Sequence, residues 1–323
     1  MRAVIVEESG GPEALTVVEM DDPQPGPGEV VVEVVSAGVN RADVLQRKGF
    51  YDPPPGATPV LGLEAAGRVV TLGEGADEAL LGQDAVALLS GGGYAEKVAV
   101  PAGQVAPLPA GLDLETAGGI METAATVWSN VAMVGRLTAG ETFLVHGGGS
   151  GIGTMAIQVA KALGARVVTT VGSAEKAETC RALGADLVVN YREQDFGAEL
   201  KKHGLRPDVI LDIMGARYLD ANVRALNTSG RLVVIGLQGG VKAELDLNRL
   251  LMKRASVTAT SLRARPTEEK ATIVSDLVDH VWPLVEDGTV RPIIHERFAL
   301  DDVAEAHRVM EASTHTGKLV LLP

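Results

Sequence analysis

"LVHGGGSGIGTMAIQVAKALGA" (residues 144–165) lies near the middle of the chain, and its reading decides the rest. A short apolar strand runs into five glycines within seven residues and then directly into a helical pattern. Ile152, Ala156, Val159, Ala160 and Leu163 fall on one face of that helix. A helix starting at such a turn presents unpaired N–H groups and positive dipole charge, and glycine lets that backbone approach a phosphate closely. The run is not a strict G-x-G-x-x-G: counted from Gly149 the sixth position is Thr154, and counted from Gly148 the glycines fall at 148, 151 and 153. By itself it reads either as a diphosphate cradle or as a structural strand-to-helix turn.

The downstream half of the chain favours the cradle. "RVVTTV" (166–171) precedes a helical stretch at 173–184, "DLVVN" (186–190) one at 195–203, and "DVILDIM" (208–214) one at 217–226. "RLVVIG" (231–236) and "SVTATSL" (256–262) supply two further strands. Apolar strands alternating with helices predict a parallel sheet covered on both faces, the doubly wound Rossmann architecture. The rhythm upstream is different. β-branched runs at 2–7, 15–20, 29–39, 68–72, 84–89 and 95–100 are punctuated by Gly and Pro every 8–12 residues, as in a barrel or sandwich. One short helix is expected at 40–49 with Asn40 as its N-cap. Further helices are expected near 114–135 and over 267–287, and the tail is expected to end in a strand returning to the first domain.

Composition bounds the function. The 323 residues are 46% hydrophobic and 22% charged, which suits a globular chain of two domains. A formal net charge of −13 argues against nucleic acid as a main partner. Cys180 is the only cysteine, so no intramolecular disulfide and no multi-cysteine zinc site can form. "MRAVIVEESGG" lacks the apolar core of a signal peptide, no stretch approaches 18 uncharged apolar residues, and six histidines show no ligand spacing. A cytoplasmic chain without membrane or metal is the expectation.

The second strand of the alternating half bears on the cofactor. An NAD-selective site places Asp or Glu about 20 residues beyond the glycines, on the ribose 2′-hydroxyl. Here the strand ends "VVTTVGSAEK", with Gly172 and Ser173 at that place. Ser173, Lys176 and, after the third strand, Tyr191 in "VVNYREQDF" offer a hydroxyl, an ammonium and a phenol, which suit a 2′-phosphate. Taken singly, Ser173 reads equally as a helix cap and Lys176 as a solvated charge. The missing acid together with the three groups predicts NADPH.

"GVNRADVLQRKGFYDPPPGATPVLGLEAAGRVV" and "HGGGSGIGTMAIQVAK", with "NYREQDF", "GLQGG", "SLRAR" and "EAHRVMEASTHTGKLVL", resemble the zeta-crystallin-like quinone oxidoreductases. These form the zinc-independent branch of the medium-chain dehydrogenase/reductases, and the likeness is greatest to the tumour-suppressor-inducible subgroup. The resemblance covers nearly the whole chain. It implies a GroES-like β-rich domain at 1–122 and 293–323, a Rossmann NADPH-binding domain at 123–292, a nicotinamide in the interdomain cleft, and a homodimer formed through the edge strand "SVTATSL". Where zinc-dependent relatives carry a cysteine and a Gly-His-Glu, this chain reads "SAGVN" (36–40) and "GLE" (62–64), so zinc-based alcohol oxidation is not expected.

The resemblance also assigns site residues. Asn40 and Asp43 are expected near nicotinamide and substrate, and Tyr51 along the substrate pocket. Thr126 is expected at the carboxamide. Gly148, Ser150, Gly151, Ile152 and Gly153 are expected at the diphosphate, with Gly236, Leu237, Ser261 and Arg263 as further cofactor contacts. Each has a plainer reading: Asn40 a cap, Asp43 a first-turn charge, Tyr51 a packing residue on a proline-stiffened loop, Ser150 a turn residue, His146 strand-end packing. Three functions fit: NADPH-dependent quinone reduction by metal-free hydride transfer, enone reduction with Tyr51 as proton donor, and an NADPH-bound regulatory or RNA-binding protein with little turnover.

Overall fold

Glu29–Val39 is the longest strand, and its sequence EVVVEVVSAGV explains its central place. Valine is stiff at χ1 and favours a pleated surface, and most of this run is buried. The strand pairs antiparallel with Glu64–Leu72, Lys97–Pro101 and the C-terminal strand Lys318–Leu322. Asp84–Leu88 and Val105–Pro107 extend the sheet beyond Glu64–Leu72, and Ile294–Ala299 lies outside Lys318–Leu322. That outer pair is parallel and is joined through the helix Val303–Ala312. Val30, Val32, Val39, Leu61, Ala65, Val69, Leu319 and Leu321 form one buried core.

The computed structural model describes residues 1–323. They divide into a β-rich unit, 1–125 with 262–323, and a second unit, 126–261. The second unit is a six-stranded parallel sheet. Its order runs Leu187–Asn190, Arg166–Val171, Thr142–His146, Val209–Asp212, Arg231–Val234, Ser256–Ala259. Counted along the chain this is 3-2-1-4-5-6, the Rossmann order, so the α/β reading with a GroES-like partner domain holds. Ser256–Ala259 is the edge of the sheet. No helix is long and apolar enough to cross a membrane.

One domain boundary and two helical stretches differ from the sequence reading. Residues 262–292 were expected in the Rossmann domain, but they pack within the β-rich unit. Trp282 Nε1 donates to the Pro107 carbonyl at 2.8 Å, Lys270 Nζ to Ser90 Oγ at 2.5 Å, and Arg263 Nε to the Ser90 carbonyl at 2.9 Å. The expected helix over 267–287 is two helices, Thr267–His280 and Trp282–Glu286, because Pro283 sits at the second helix's start, where a missing N–H costs nothing. The stretch near 114–135 is likewise broken, into Leu114–Ala117, Met121–Trp128 and a π-helical turn, Ser129–Val134, closed by Gly135 N–H to the Asn130 carbonyl at 2.9 Å.

Candidate active site

The β-rich unit gathers a buried cluster of charges. Lys318 opens the C-terminal strand in a position that is otherwise core, and its ammonium donates to Glu64 Oε1 at 2.7 Å, Asn40 Oδ1 at 2.7 Å and the Val39 carbonyl at 3.0 Å. The Lys318 and Glu64 side chains are 4% and 0% exposed. Asn40 Nδ2 donates to Glu64 Oε1 at 3.0 Å, and the Glu122 N–H donates to Glu64 Oε2 at 2.9 Å. Asn40 is the N-cap of the helix Arg41–Arg47, as its sequence position predicts, and its side chain also bonds Glu64 and Lys318. In the same capping box its N–H donates to Asp43 Oδ2 at 2.7 Å.

Asp43 is fully buried. Its Oδ2 also accepts the Tyr94 hydroxyl at 3.0 Å, while its Oδ1 has no partner. Burial lifts its carboxyl to about 6, against the opposing pull of the Asn40 N–H, the Tyr94 hydroxyl, Lys318 and Arg263. Glu122 is pushed well above the ordinary range by burial and by Glu64. Arg263 donates to the Ser90 carbonyl and, at 3.4 Å, to the Tyr51 carbonyl; its guanidinium lies 5.3 Å from the Tyr51 ring centre, and its buried Nη2 has no partner. The structure thus brings Asn40, Asp43, Tyr51 and Arg263 into one unit. Arg263, expected as a cofactor contact, spends Nε and Nη1 on Ser90 and Tyr51 and keeps Nη2 unpartnered.

The parallel-sheet unit holds the glycine loop after Thr142–His146. Ser150 caps the helix Gly151–Ala162: its Oγ accepts from the Gly153 N–H at 3.0 Å and donates to the Gly147 carbonyl at 2.7 Å, so its hydroxyl works within the turn. The Thr154 N–H goes to the Ser150 carbonyl, leaving the first-turn N–H groups of Gly151 and Ile152 for an outside acceptor. A Cβ on Gly153 would stand 2.3 Å from the Gly147 carbonyl oxygen, and one on Gly148 would meet Thr169 Oγ1. The turn therefore closes only with glycine at these places, and the cradle fits a diphosphate.

Around the end of Arg166–Val171 the structure sets Ser173, Lys176 and Tyr191 together. The Lys176 stem lies against Gly149 and the Tyr191 phenol oxygen against Gly172. Burial and the neighbouring Arg192 charge lower the Lys176 pKa. Ser173 Oγ accepts the Lys176 N–H at 3.3 Å as a helix cap. Arg192 went unread although it stands inside the quoted "NYREQDF". Gly236 and the half-exposed Leu237 lie on the loop after Arg231–Val234, with Gly236 against the Ile213 backbone. Thr126 is half-buried, its carbonyl accepting Asn130 Nδ2 at 2.8 Å, and Ser261 is exposed. His146 is a packing residue, bonded to Thr170 and Asn222 and edge-on to Phe196 and Tyr218.

No group of three or more His, Cys, Asp or Glu side chains is arranged to hold a metal ion. Within the two segments set against the zinc-dependent relatives' ligands, Asn40 bonds Glu64 and Lys318, and Leu63 is core. Sequence reading also missed Glu64, Tyr94, Glu122, Lys270, His307 and Lys318. The available signal was charge inside apolar runs, as in "GLEAAG" and "GKLVLLP".

A β-rich unit followed by a Rossmann unit with a glycine cradle defines a medium-chain dehydrogenase/reductase. Residues 26–110 match the alcohol dehydrogenase GroES-like domain, and residues 151–279 match the zinc-binding dehydrogenase domain. The chain is 32% identical over 320 residues to quinone oxidoreductase 1 of Escherichia coli, covering 97% of each chain. The chain belongs to the quinone oxidoreductase family of these enzymes. It is also 33% identical over 323 residues to a phenolphthiocerol/phthiocerol polyketide synthase subunit of Mycobacterium tuberculosis, of which it spans 14%. The E. coli quinone oxidoreductase complexed with NADPH superposes with a TM-score of 0.89 at 29% identity, and an NAD-dependent alcohol dehydrogenase with 0.88 at 31%, each over 100% of both chains.

Breaking the Lys318–Glu64 pair from one side should cost about 3–5 kcal/mol, because the remaining charge stays buried. Lys318→Met and Glu64→Gln should each lower the denaturant midpoint sharply, and the double variant should be less destabilised than the sum of the two. Strict additivity in that cycle would show the contact to be energetically empty.

Proposed function

We propose that the chain is an NADPH-dependent quinone oxidoreductase. The observation that carries this reading is the acid-free end of Arg166–Val171, where Lys176, Tyr191 and Arg192 gather beside the glycine loop. A carboxylate there would favour a free ribose hydroxyl; cations and a phenol favour a phosphate. The likeness to a quinone oxidoreductase complexed with NADPH supports the same choice over the NAD-dependent relative. In this reading the Gly151 and Ile152 N–H groups bind the diphosphate, Lys176, Tyr191 and Ser173 surround the 2′-phosphate, and Thr126, Gly236, Leu237 and Ser261 contact the rest of the dinucleotide.

Bound NADPH supplies a hydride, which leaves the protein to bind, orient and handle one proton. Reducing a quinone to its hydroquinone consumes one hydride and one proton. Asp43, with its carboxyl lifted to about 6, can hold that proton at Oδ1. The buried, unpartnered Nη2 of Arg263 is a donor for the oxygen on which negative charge develops. Tyr51 and Asn40 flank these groups through Arg263 and the Asn40 N–H.

NADPH oxidation measured against ortho-quinones, para-quinones and enones, with NADH as control, tests the reading. The expected result is quinone turnover at a kcat/KM at least about 10-fold higher with NADPH, and a Lys176→Ala variant whose KM rises about 10-fold for NADPH alone, the size of one charge-assisted contact. Equal efficiency with NADH removes the cofactor assignment, and inertness toward every acceptor removes the enzymatic one.

Reduction of an activated alkene is a second reading, favoured by the polyketide synthase likeness and by the Arg263 guanidinium over the Tyr51 ring. With Tyr51 as proton donor, Tyr51→Phe should cut kcat with enones by about 100-fold while leaving quinone rates near normal. A parallel loss on both substrates would assign Tyr51 to binding.

For the assembly we propose a homodimer through the edge strand Ser256–Ala259. Its outer backbone groups are unpaired in the chain, and the preceding helix Leu247–Lys253 exposes Leu247, Leu251 and Met252 by 69%, 72% and 71%. Leu251→Lys combined with Met252→Lys should convert a dimeric mass in light scattering to a monomeric one; a monomeric unaltered protein would remove the proposal.

A further inference from the structure

Asp43 ends a chain of buried side chains that the proposed reaction does not itself use. The Tyr94 hydroxyl donates to Asp43 Oδ2 at 3.0 Å, and the same hydroxyl oxygen lies 3.3 Å from His307 Nε2. His307 Nδ1 lies 3.3 Å from Arg47 Nη1, and Arg47 Nη2 donates to Glu311 at 2.8 Å. Tyr94, Arg47 and His307 are fully buried, and the Tyr94 and His307 rings meet edge-on at 82° with centres 5.9 Å apart.

The direction of every bond follows from the guanidinium, which has donors and no acceptor. Arg47 donates, so His307 Nδ1 accepts. Burial and the Arg47 charge hold His307 neutral, with a pKa of about 3, so its single ring proton sits on Nε2 and is given to the Tyr94 oxygen. Tyr94 must then turn its own O–H toward Asp43. The same directionality excludes a proton wire from Glu311, because Arg47 cannot hand a proton to Nδ1. The chain can hold a carboxyl in place; it cannot feed it. With Oδ2 taken by Tyr94 and the Asn40 N–H, Oδ1 is the one carboxyl oxygen left without a partner, and it is buried.

We propose that Tyr94 and His307 are positioning residues that fix Asp43 through Oδ2 and so reserve Oδ1 for an oxygen of the substrate. The proposal rests on the quinone-reductase reading for the identity of that substrate. The Tyr94 hydroxyl, Lys318 and Arg263 favour the ionised carboxyl, Glu122 opposes it, and burial outweighs the favourable groups.

Tyr94→Phe keeps the ring and removes one donor to ionised Asp43, so the carboxyl should titrate at still higher pH. An acid at Asp43 is lost as pH rises through its pKa. The falling limb of kcat against pH should therefore move up by about one unit, the worth of one such hydrogen bond. His307→Gln can still accept from Arg47 and donate to Tyr94, and should keep the limb in place; His307→Leu can do neither, leaves the Tyr94 hydroxyl unfixed but still able to donate, and should move the limb up by less than Tyr94→Phe does. The second readout is the Asp43 carboxyl titration itself, followed by NMR on carbon-13-labelled aspartate without substrate and assigned with Asp43→Asn.

Upward shifts in Tyr94→Phe and His307→Leu, with none in His307→Gln, support the positioning role. An unmoved titration and limb in folded Tyr94→Phe and His307→Leu overturn it, and so would equal shifts in both His307 variants. If Tyr94→Phe does not fold, the His307 pair decides on the same readouts. If the unaltered protein reduces no quinone while the titration shifts as expected, the hold on Asp43 stands and the substrate reading alone falls.

Discussion

The ion pair between Lys318 and Glu64 is the constraint on which the β-rich unit depends. Two charges that are 4% and 0% exposed cannot be left unpaired in an apolar core, and each needs further polar partners before burial becomes tolerable. Lys318 finds them in Asn40 Oδ1 and the Val39 carbonyl, Glu64 in Asn40 Nδ2 and the Glu122 N–H. Satisfying these groups fixes the register of three strands at once. Leu319 must face Val39, the strand carrying Glu64 must lie on the other side of Glu29–Val39, and Asn40 must stand where that strand ends. The polar groups that shape the candidate site are therefore the same ones that close the sheet.

Asn40 joins this constraint to the helix that follows. It is the N-cap of Arg41–Arg47, and its amide oxygen, with two lone pairs, also accepts from the Lys318 ammonium. Asp43 completes the capping box by accepting the Asn40 N–H. That contact holds Asp43 inside the unit, where burial raises its pKa. A carboxyl in that state costs stability at neutral pH, and a fold retains such a cost where the strained group has work to do.

The sequence carried the parallel-sheet unit well because its strands are buried on both faces and so read as continuous apolar runs between glycines and caps. The glycine loop was legible for the same local reason: Gly153 and Gly148 are required by contacts within one turn and its adjoining strand. The charged cluster was not legible, since Glu64, Tyr94, His307 and Lys318 meet only through sheet pairing and helix docking across most of the chain. The misplaced boundary has a similar origin. The helices Thr267–His280 and Trp282–Glu286 have apolar faces that could cover many surfaces, and their assignment turns on Ser90 and Pro107, residues far away in sequence. Arg263 lies in the same misplaced segment, and two of its nitrogens donate to Ser90 and Tyr51.

The distribution of the buried cations gives this cluster its chemical direction. Lys318 is paired with Glu64 and Arg47 with Glu311, so their charges are already answered. Arg263 and Lys270 are held by the carbonyl and hydroxyl of Ser90, neutral acceptors that fix position without cancelling charge. Burial lowers the pKa of both, the mark of charge kept where solvent does not stabilise it. Nearby, Asp43 and Glu122 are biased toward their neutral forms. Buried cations held by neutral acceptors, beside carboxyls biased toward protonation, favour a guest that becomes more negative as it reacts, since fixed donors are worth most where water is excluded. Acceptance of an electron pair by a conjugated carbonyl has that character.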